Sequence, residues 1–395
     1  MNFTGPFRRL PRLSLPLAAS FTALAGLAPV AVAPVVAGDW SIESRLSERI
    51  DFYDNYRIRT ESSGEVYGSE TGVFADFIYK TPDSRFDFIS DLVARKFAGP
   101  GKEDALDGFF PSFVTSYNKD GKRTFLDLGA FYNFQSLPAV DTLDTETAES
   151  NSTRHNFGGN IDLTRKINAL NSITFANSAQ TSVFDGSGTD NFSFNSALSW
   201  NRGLSKRTDS TLTSGFGLLE LSDDESTDRY TYRLRADVTS RRSKRLTVRA
   251  GGGATLVNSY KTDRLGSSSS RTSSMDLGGL ADLGLDYRLK TTTVSLNASY
   301  GLQPGTFGDL QTRASVALLV NKAINSRSSI AFAATAQIID QGTSSLSVAP
   351  TYTVALTDEW SFNAGYRFTL KDSDDGTAMA NNAFLSLSRD FVLLP

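Results

Sequence analysis

Arg271–Tyr300 reads RTSSMDLGGLADLGLDYRLKTTTVSLNASY. Met275, Leu277, Gly279, Ala281, Leu283, Leu285 and Tyr287 fall on one parity, while Asp276, Gly278, Leu280, Asp282, Gly284 and Asp286 fall on the other. Side chains alternate across a β-strand, so one face is apolar and the other carries three carboxylates. After the basic turn Arg288-Leu289-Lys290, Val294, Leu296, Ala298 and Tyr300 alternate with Ser295, Asn297 and Ser299. The first run is long enough to cross a bilayer, which takes about 9–11 tilted residues; strands of soluble sheets run to roughly 5–6. A sheet with open edges has no stable place in lipid, so hairpins of this kind imply a closed ring. The pattern recurs along the chain and predicts an all-β, transmembrane up-and-down antiparallel barrel of about 18 strands, an even number as such barrels require.

The bulk composition agrees. The chain has 395 residues, 39% hydrophobic and 21% charged, and its mean hydropathy of -0.23 is too polar for a bundle of membrane helices. Glycine (31), phenylalanine (27) and tyrosine (13) supply turns and aromatic girdles. The absence of cysteine excludes disulfides and thiolate metal sites, and a single histidine excludes multi-histidine clusters. The net charge of -3 argues against nucleic acid as a partner. No phosphate-binding loop or dinucleotide fingerprint occurs. No cofactor and no metal site are expected.

Residues 1–37 read as a cleaved signal peptide. Arg8, Arg9 and Arg12 precede the apolar Leu13–Val32 stretch, and Val35-Val36-Ala37 offers small residues for cleavage before Gly38. Residues 38–395 then form the outer-membrane barrel. Connections fall into two alternating sets. Long or acidic ones include 135–152, Asp185–Asp190, Asp223–Asp228, Lys261–Ser270 and Asp372–Thr377; Ser267–Ser270 reads as a loop tip. Short, often basic ones include Asn118–Arg123, Arg165–Leu170, Arg202–Arg207, Arg241–Arg245 and Asn321–Arg327. Long loops at one rim and tight turns at the other are expected of outer-membrane barrels. Asn55–Glu65 reads as a further polar loop.

If the apolar parity meets lipid, the polar parity lines the pore. The candidates are Arg45, Arg49, Asp87, Asp91, Arg233, Arg235, Asp237, Arg249, Asp276, Asp282, Asp286, Arg313 and Arg367. They serve either a wall that selects solutes or a salt-bridged interior that stiffens the ring. His155 is the sole imidazole; with Ser150, Ser152 and Asp162 near it only in sequence, it reads as a surface residue rather than a catalytic one. The pairs Asp223-Asp224 and Asp374-Asp375 lack the spacing of calcium loops.

The opening GDWSIESRLSERIDFYDN (38–55) and the turn-then-strand phrases RKINALNSITFANSA (165–179), NKAINSRSSIAFAATAQ (321–337) and LTDEWSFNAGYRF (356–368) resemble β-barrel porin family 2, the outer-membrane barrels associated with bacterial exopolysaccharide loci. The resemblance implies a porin-like channel serving passage or export of polysaccharide or small solutes, and carries no catalytic residues. The expected partners are outer-membrane lipid, lipopolysaccharide, the barrel-assembly machinery and polysaccharide. The chain departs from the usual aromatic last residue: Phe391 is followed by Val-Leu-Leu-Pro. The alternative is a closed structural or adhesive barrel presenting acidic loops. A lipid-modifying enzyme would rest on His155 alone.

Overall fold

A computed structural model describes residues 38–62, 64–102, 106–136, 153–185, 189–222, 226–265, 268–304, 310–340, 342–374 and 376–394. Eighteen strands among them follow chain order: β1 Asp39–Tyr53, β2 Val66–Lys80, β3 Ser84–Ala98, β4 Gly108–Asp120, β5 Thr124–Ser136, β6 Thr153–Lys166, β7 Asn171–Asp185, β8 Asp190–Ser205 and β9 Thr208–Ser222. The second half is β10 Ser226–Arg241, β11 Leu246–Leu265, β12 Ser268–Arg288, β13 Thr292–Pro304, β14 Leu310–Ala323, β15 Ser328–Ile339, β16 Thr343–Ala355, β17 Trp360–Ser373 and β18 Gly376–Leu394. Sequence neighbours pair antiparallel, and β1 pairs with β18 through Ile42↔Leu394 to Tyr53↔Asn382, which closes the sheet on itself. Closure satisfies the backbone groups that an open edge would leave to lipid. A bulge at the Ile42/Glu43 step lets the tail after Phe391 remain in this pairing.

The two faces differ as the alternation predicts. In the β12–β13 hairpin the apolar parity meets the apolar parity: Leu283↔Ala298, Leu285↔Leu296 and Tyr287↔Val294. Large apolar side chains such as Ile50, Phe175, Leu198, Leu234, Leu283, Val316 and Leu385 lie exposed on this face. Buried side chains such as Asp51, Asp87, Asn156, Thr255, Gln337 and Asn382 lie on the other. The polar face is the concave one, because its side chains reach strands two places away. Arg235 of β10 contacts Asp282 of β12, and the Tyr53 ring of β1 lies 6.3 Å from Phe97 of β3. Glu48 interrupts the outer belt, accepting a 2.5 Å hydrogen bond from Thr71 Oγ1. An acidic side chain at such a position costs less than the roughly 2–4 kcal/mol of Arg or Lys at the midplane.

The short turns share one chemistry. Asn168 Oδ1 accepts from the Leu170 and Asn171 amides, both at 2.9 Å, and Asn325 Oδ1 accepts from Arg327 and Ser328, both at 2.8 Å. Thr357 and Ser243 do the same with their hydroxyls. A short polar side chain that caps the amides two and three residues ahead stabilises the reversal. This is the physical content of the recurring turn-then-strand phrases.

Expectations for the connections change, and within Asp372–Thr377 the residues Asp372–Ser373 and Gly376–Thr377 already pair as the ends of β17 and β18. The described part of Lys261–Ser270 is strand rather than loop: Lys261–Leu265 belongs to β11 and Ser268–Ser270 to β12, paired Leu265↔Ser268 to Thr262↔Arg271. The ladder continues past the apolar belt, where nothing requires one face to be greasy. Asn55–Glu65 is a loop, but not a uniformly polar one. Tyr56 and Ile58 are buried with Tyr53, Val66, Phe97, Leu106, Ala378 and Ala380. Residues 1–37, 137–152, 223–225 and 375 lie outside the described residues, and with them the expected signal peptide, most of the 135–152 loop and parts of both Asp pairs.

Candidate functional site

The concave face gathers charges into two arcs. On β10–β12, Arg235 places Nη2 2.6 Å from Asp237 and Nη1 2.9 Å from Asp282. Arg249 Nη1 lies 2.9 Å from Asp286, whose other oxygen accepts from Ser295 at 2.8 Å. Glycines make room for these flat side chains. A Cβ on Gly251 would collide with the Asp237 carboxylate, and one on Gly284 would come within 2.9 Å of Arg249 Nε. Gly251 is thus the floor on which β10's guanidinium and its carboxylate lie.

Arg233 sits one inward position above Arg235 and makes no hydrogen bond or ion pair among the described residues. Asp276, on the same face of β12, likewise makes no ion pair among them. Arg313 on β14 donates to the Gln337 side chain. Arg367 on β17 stands in register with Asn382.

The seam between β1 and β18 holds a second group. Arg45 Nε meets Asp390 at 2.6 Å. Arg49 meets Asp51 at 2.8 Å and lies 4.1 Å above the Phe384 ring. Asp51 is buried and also accepts from Asn382 at 3.3 Å. On β3, Asp87 is held by Arg85 at 2.6 Å, whereas Asp91 accepts no hydrogen bond among the described residues. Asp76 on β2 and Asp127 on β5 also make no ion pair among the described residues, and Asp76 has a buried oxygen without a hydrogen-bond partner. The thirteen residues singled out from parity therefore share the concave face but form several clusters. Strands β2–β5 lie across the ring from β11–β14, so Asp76, Asp91 and Asp127 stand opposite an arc that carries Arg249, Arg313, Asp276, Asp282 and Asp286.

The thirteen residues singled out as pore-lining do not include Arg85, Glu70, Arg95 or the first-loop apolar pair. Arg95 Nε meets Glu70 at 2.6 Å across β2–β3. Their alternation with Phe86 and Ala94 carried that signal. Tyr56 and Ile58 offered none beyond being apolar in a polar loop. His155 is not without partners: Nδ1 lies 3.0 Å from Tyr132 Oη and Nε2 3.0 Å from Asp185 Oδ2. Asp162 is not among them, and Ser150 and Ser152 lie outside the described residues.

A closed antiparallel ring with an outward apolar belt and a polar interior defines an outer-membrane β-barrel. The chain crosses the bacterial outer membrane with these strands. No protein-family model matches the chain, and no curated protein matches it in sequence. Among solved structures, the open form of the ferric-catecholate import receptor Fiu from E. coli K12 is similar over 89% of this chain and 82% of that one, with a TM-score of 0.51 and 9% identity. A BenF-like porin from Pseudomonas fluorescens Pf-5 covers 90% and 99%, at 0.48 and 10%. The outer membrane channel DcaP of Acinetobacter baumannii covers 90% and 98%, at 0.48 and 11%. At such identities the likeness is one of fold.

Proposed function

We propose that this barrel is a passive channel for small charged solutes. The observation that carries the reading is the uncompensated charge on its concave face. A ring whose interior served only stiffness would pair its ions, as Arg235 and Arg249 do. Arg233 and Asp276 on one arc and Asp91 and Asp127 on the other make no ion pair among the described residues, and an unpaired ion is stable only where water reaches it. Fixed unpaired charges of both signs on the wall orient a charged or dipolar solute and raise its local concentration. The resemblance to exopolysaccharide-associated barrels would make the solute a polysaccharide. The charged walls favour small ions over a neutral polymer.

The structural or adhesive alternative draws on the first loop, whose Tyr56 and Ile58 pack with the inward-facing Tyr53, Phe97 and Ala380. Conductance separates the two. Purified barrel in a planar bilayer should give stepwise currents, and a folded but silent protein would refute the channel. Arg233→Glu should move the reversal potential in a salt gradient toward cations. Arg233 is the cleaner site than Arg235, because its replacement breaks no ion pair.

A further inference from the structure

The short-turn rim carries cations that the channel reading does not use. Arg241-Arg242-Ser243-Lys244-Arg245 puts four positive charges in five residues of a chain whose net charge is -3. The neighbouring β12–β13 turn adds Arg288 and Lys290. Like charges this close repel, and one turn of this density is not needed for solubility. The fold nonetheless brings the two turns together: the Arg288 amide donates to the Arg245 carbonyl at 2.8 Å. Arg241, Lys244, Arg245 and Arg288 then surround a recess of about 330 Å³, with Asp286 at its wall.

The available neutralising groups are already engaged. Asp286 is held by Arg249 at 2.9 Å and by Ser295. Arg241 shares Asp209 at 3.4 Å, where both side chains are at least half exposed, so the pair is weak. The side chains of Lys244, Arg245 and Arg288 make no hydrogen bond or ion pair among the described residues. The turn itself is preorganised, since Ser243 Oγ accepts from the Arg245 amide at 3.1 Å and the Leu246 amide at 3.0 Å. Two guanidinium forks and an ammonium, uncommitted and held on a fixed turn, match an oxyanion with several acceptor oxygens and at least two charges.

We propose that this recess is a binding site for a phosphate-class oxyanion. Arg241, Arg245 and Arg288 fall on the parity of Asp237, Arg249 and Asp286, so the recess opens toward the barrel interior rather than toward lipid. The ligand is therefore a soluble anion at the mouth ringed by short turns, the periplasmic one in barrels of this kind. Its role as the last station of a conducting path rests on the channel reading; the binding itself does not.

Titration of inorganic pyrophosphate into detergent-purified barrel, followed by calorimetry and by phosphorus resonance broadening, tests the site. Saturable binding that weakens at least tenfold in Arg245→Ala/Arg288→Ala is expected, with unchanged heat-modifiable gel migration showing that the variant folds. Equal affinity in both proteins, or no saturable binding to the parent, overturns the proposal. In nanodiscs, competition by phosphatidylglycerol but not phosphatidylcholine would assign the site to a lipid headgroup and overturn the soluble-anion assignment. A barrel that binds pyrophosphate yet carries no current would refute the channel while leaving the site in place. One that conducts without binding would do the reverse.

Discussion

Val316→Arg and Ala317→Arg place the same charge at adjacent positions of one strand and should differ sharply in cost. Val316 lies midway along β14, on the outer face, beside Ala298 and Ala336. It is 47% exposed, all of it on the apolar belt. A strand tilted by about 40° climbs roughly 2.6 Å per residue along the membrane normal. Val316 is six residues from the Leu310 end and seven from the Ala323 end, which puts it about 16–18 Å from either, beyond the reach of an arginine seeking water. The cost is then about 2–4 kcal/mol, or roughly 30- to 700-fold in the folding equilibrium at about 1.4 kcal/mol per decade. Ala317 faces inward between Asn297 and Thr335, where the new guanidinium finds polar neighbours, so its cost should stay within about 0.5 kcal/mol. Urea unfolding from lipid vesicles, followed by fluorescence of Trp40, Trp200 and Trp360, measures both. Equal costs, or a larger one at Ala317, would refute the assignment of faces.

Gly251→Ala should destabilise by about 1–3 kcal/mol, because its methyl displaces the Asp237 carboxylate that holds Arg235, while Gly252→Ala on the outer face stays within about 0.5 kcal/mol; matching urea midpoints for the two variants would contradict the packing argument. Arg49→Met leaves the buried Asp51 carboxylate without its cation and should cost about 1–3 kcal/mol, lowering the temperature at which the barrel loses its compact gel mobility. Asp107, in the β3–β4 loop, is pushed up by partial burial, but Lys102, the Phe97 amide and Lys96 together pull its pKa down to about 2. A carboxylate depressed on folding stabilises above its unfolded pKa of about 3.9, and that contribution fades as pH falls from there toward about 2. Exchange of the Phe97 amide should accordingly accelerate below about pH 4 in the parent and be pH-insensitive in Asp107→Asn beyond the intrinsic rate; identical profiles would exclude the anchor.

The barrel was legible because lipid imposes a period of two on every strand that crosses it. Arg233 and Asp282 could be placed on the inner face from their neighbours Leu234 and Leu283 alone. Their partnerships could not, because whether Arg235 meets Asp282 across an intervening strand depends on the β10–β11–β12 register and on Gly251 leaving space. Ser268–Ser270 misread as loop for the complementary reason: above the belt the ladder persists without the pattern that announces it. The buried pair Tyr56 and Ile58 has no period at all; its burial follows from where Phe97, Leu106 and Ala380 arrive in three dimensions. His155 was legible only as a lone imidazole, since Tyr132 and Asp185 come from the flanking strands.

The first loop also spans the joint between the two ends of the chain. Asn55 Nδ2 donates to the Met379 carbonyl at 2.8 Å, and Asp54 accepts from the Asn381 amide at 2.6 Å, each more than three hundred residues away. Every other pair of neighbouring strands is tethered by a connection of modest length, but β1 and β18 must find each other across the whole polypeptide, the costliest loop to close. The loop acts there as a clasp. A polypeptide still unfastened at this joint has its mouth unfurnished as well, so completion of the wall and shaping of the aperture happen in a single step.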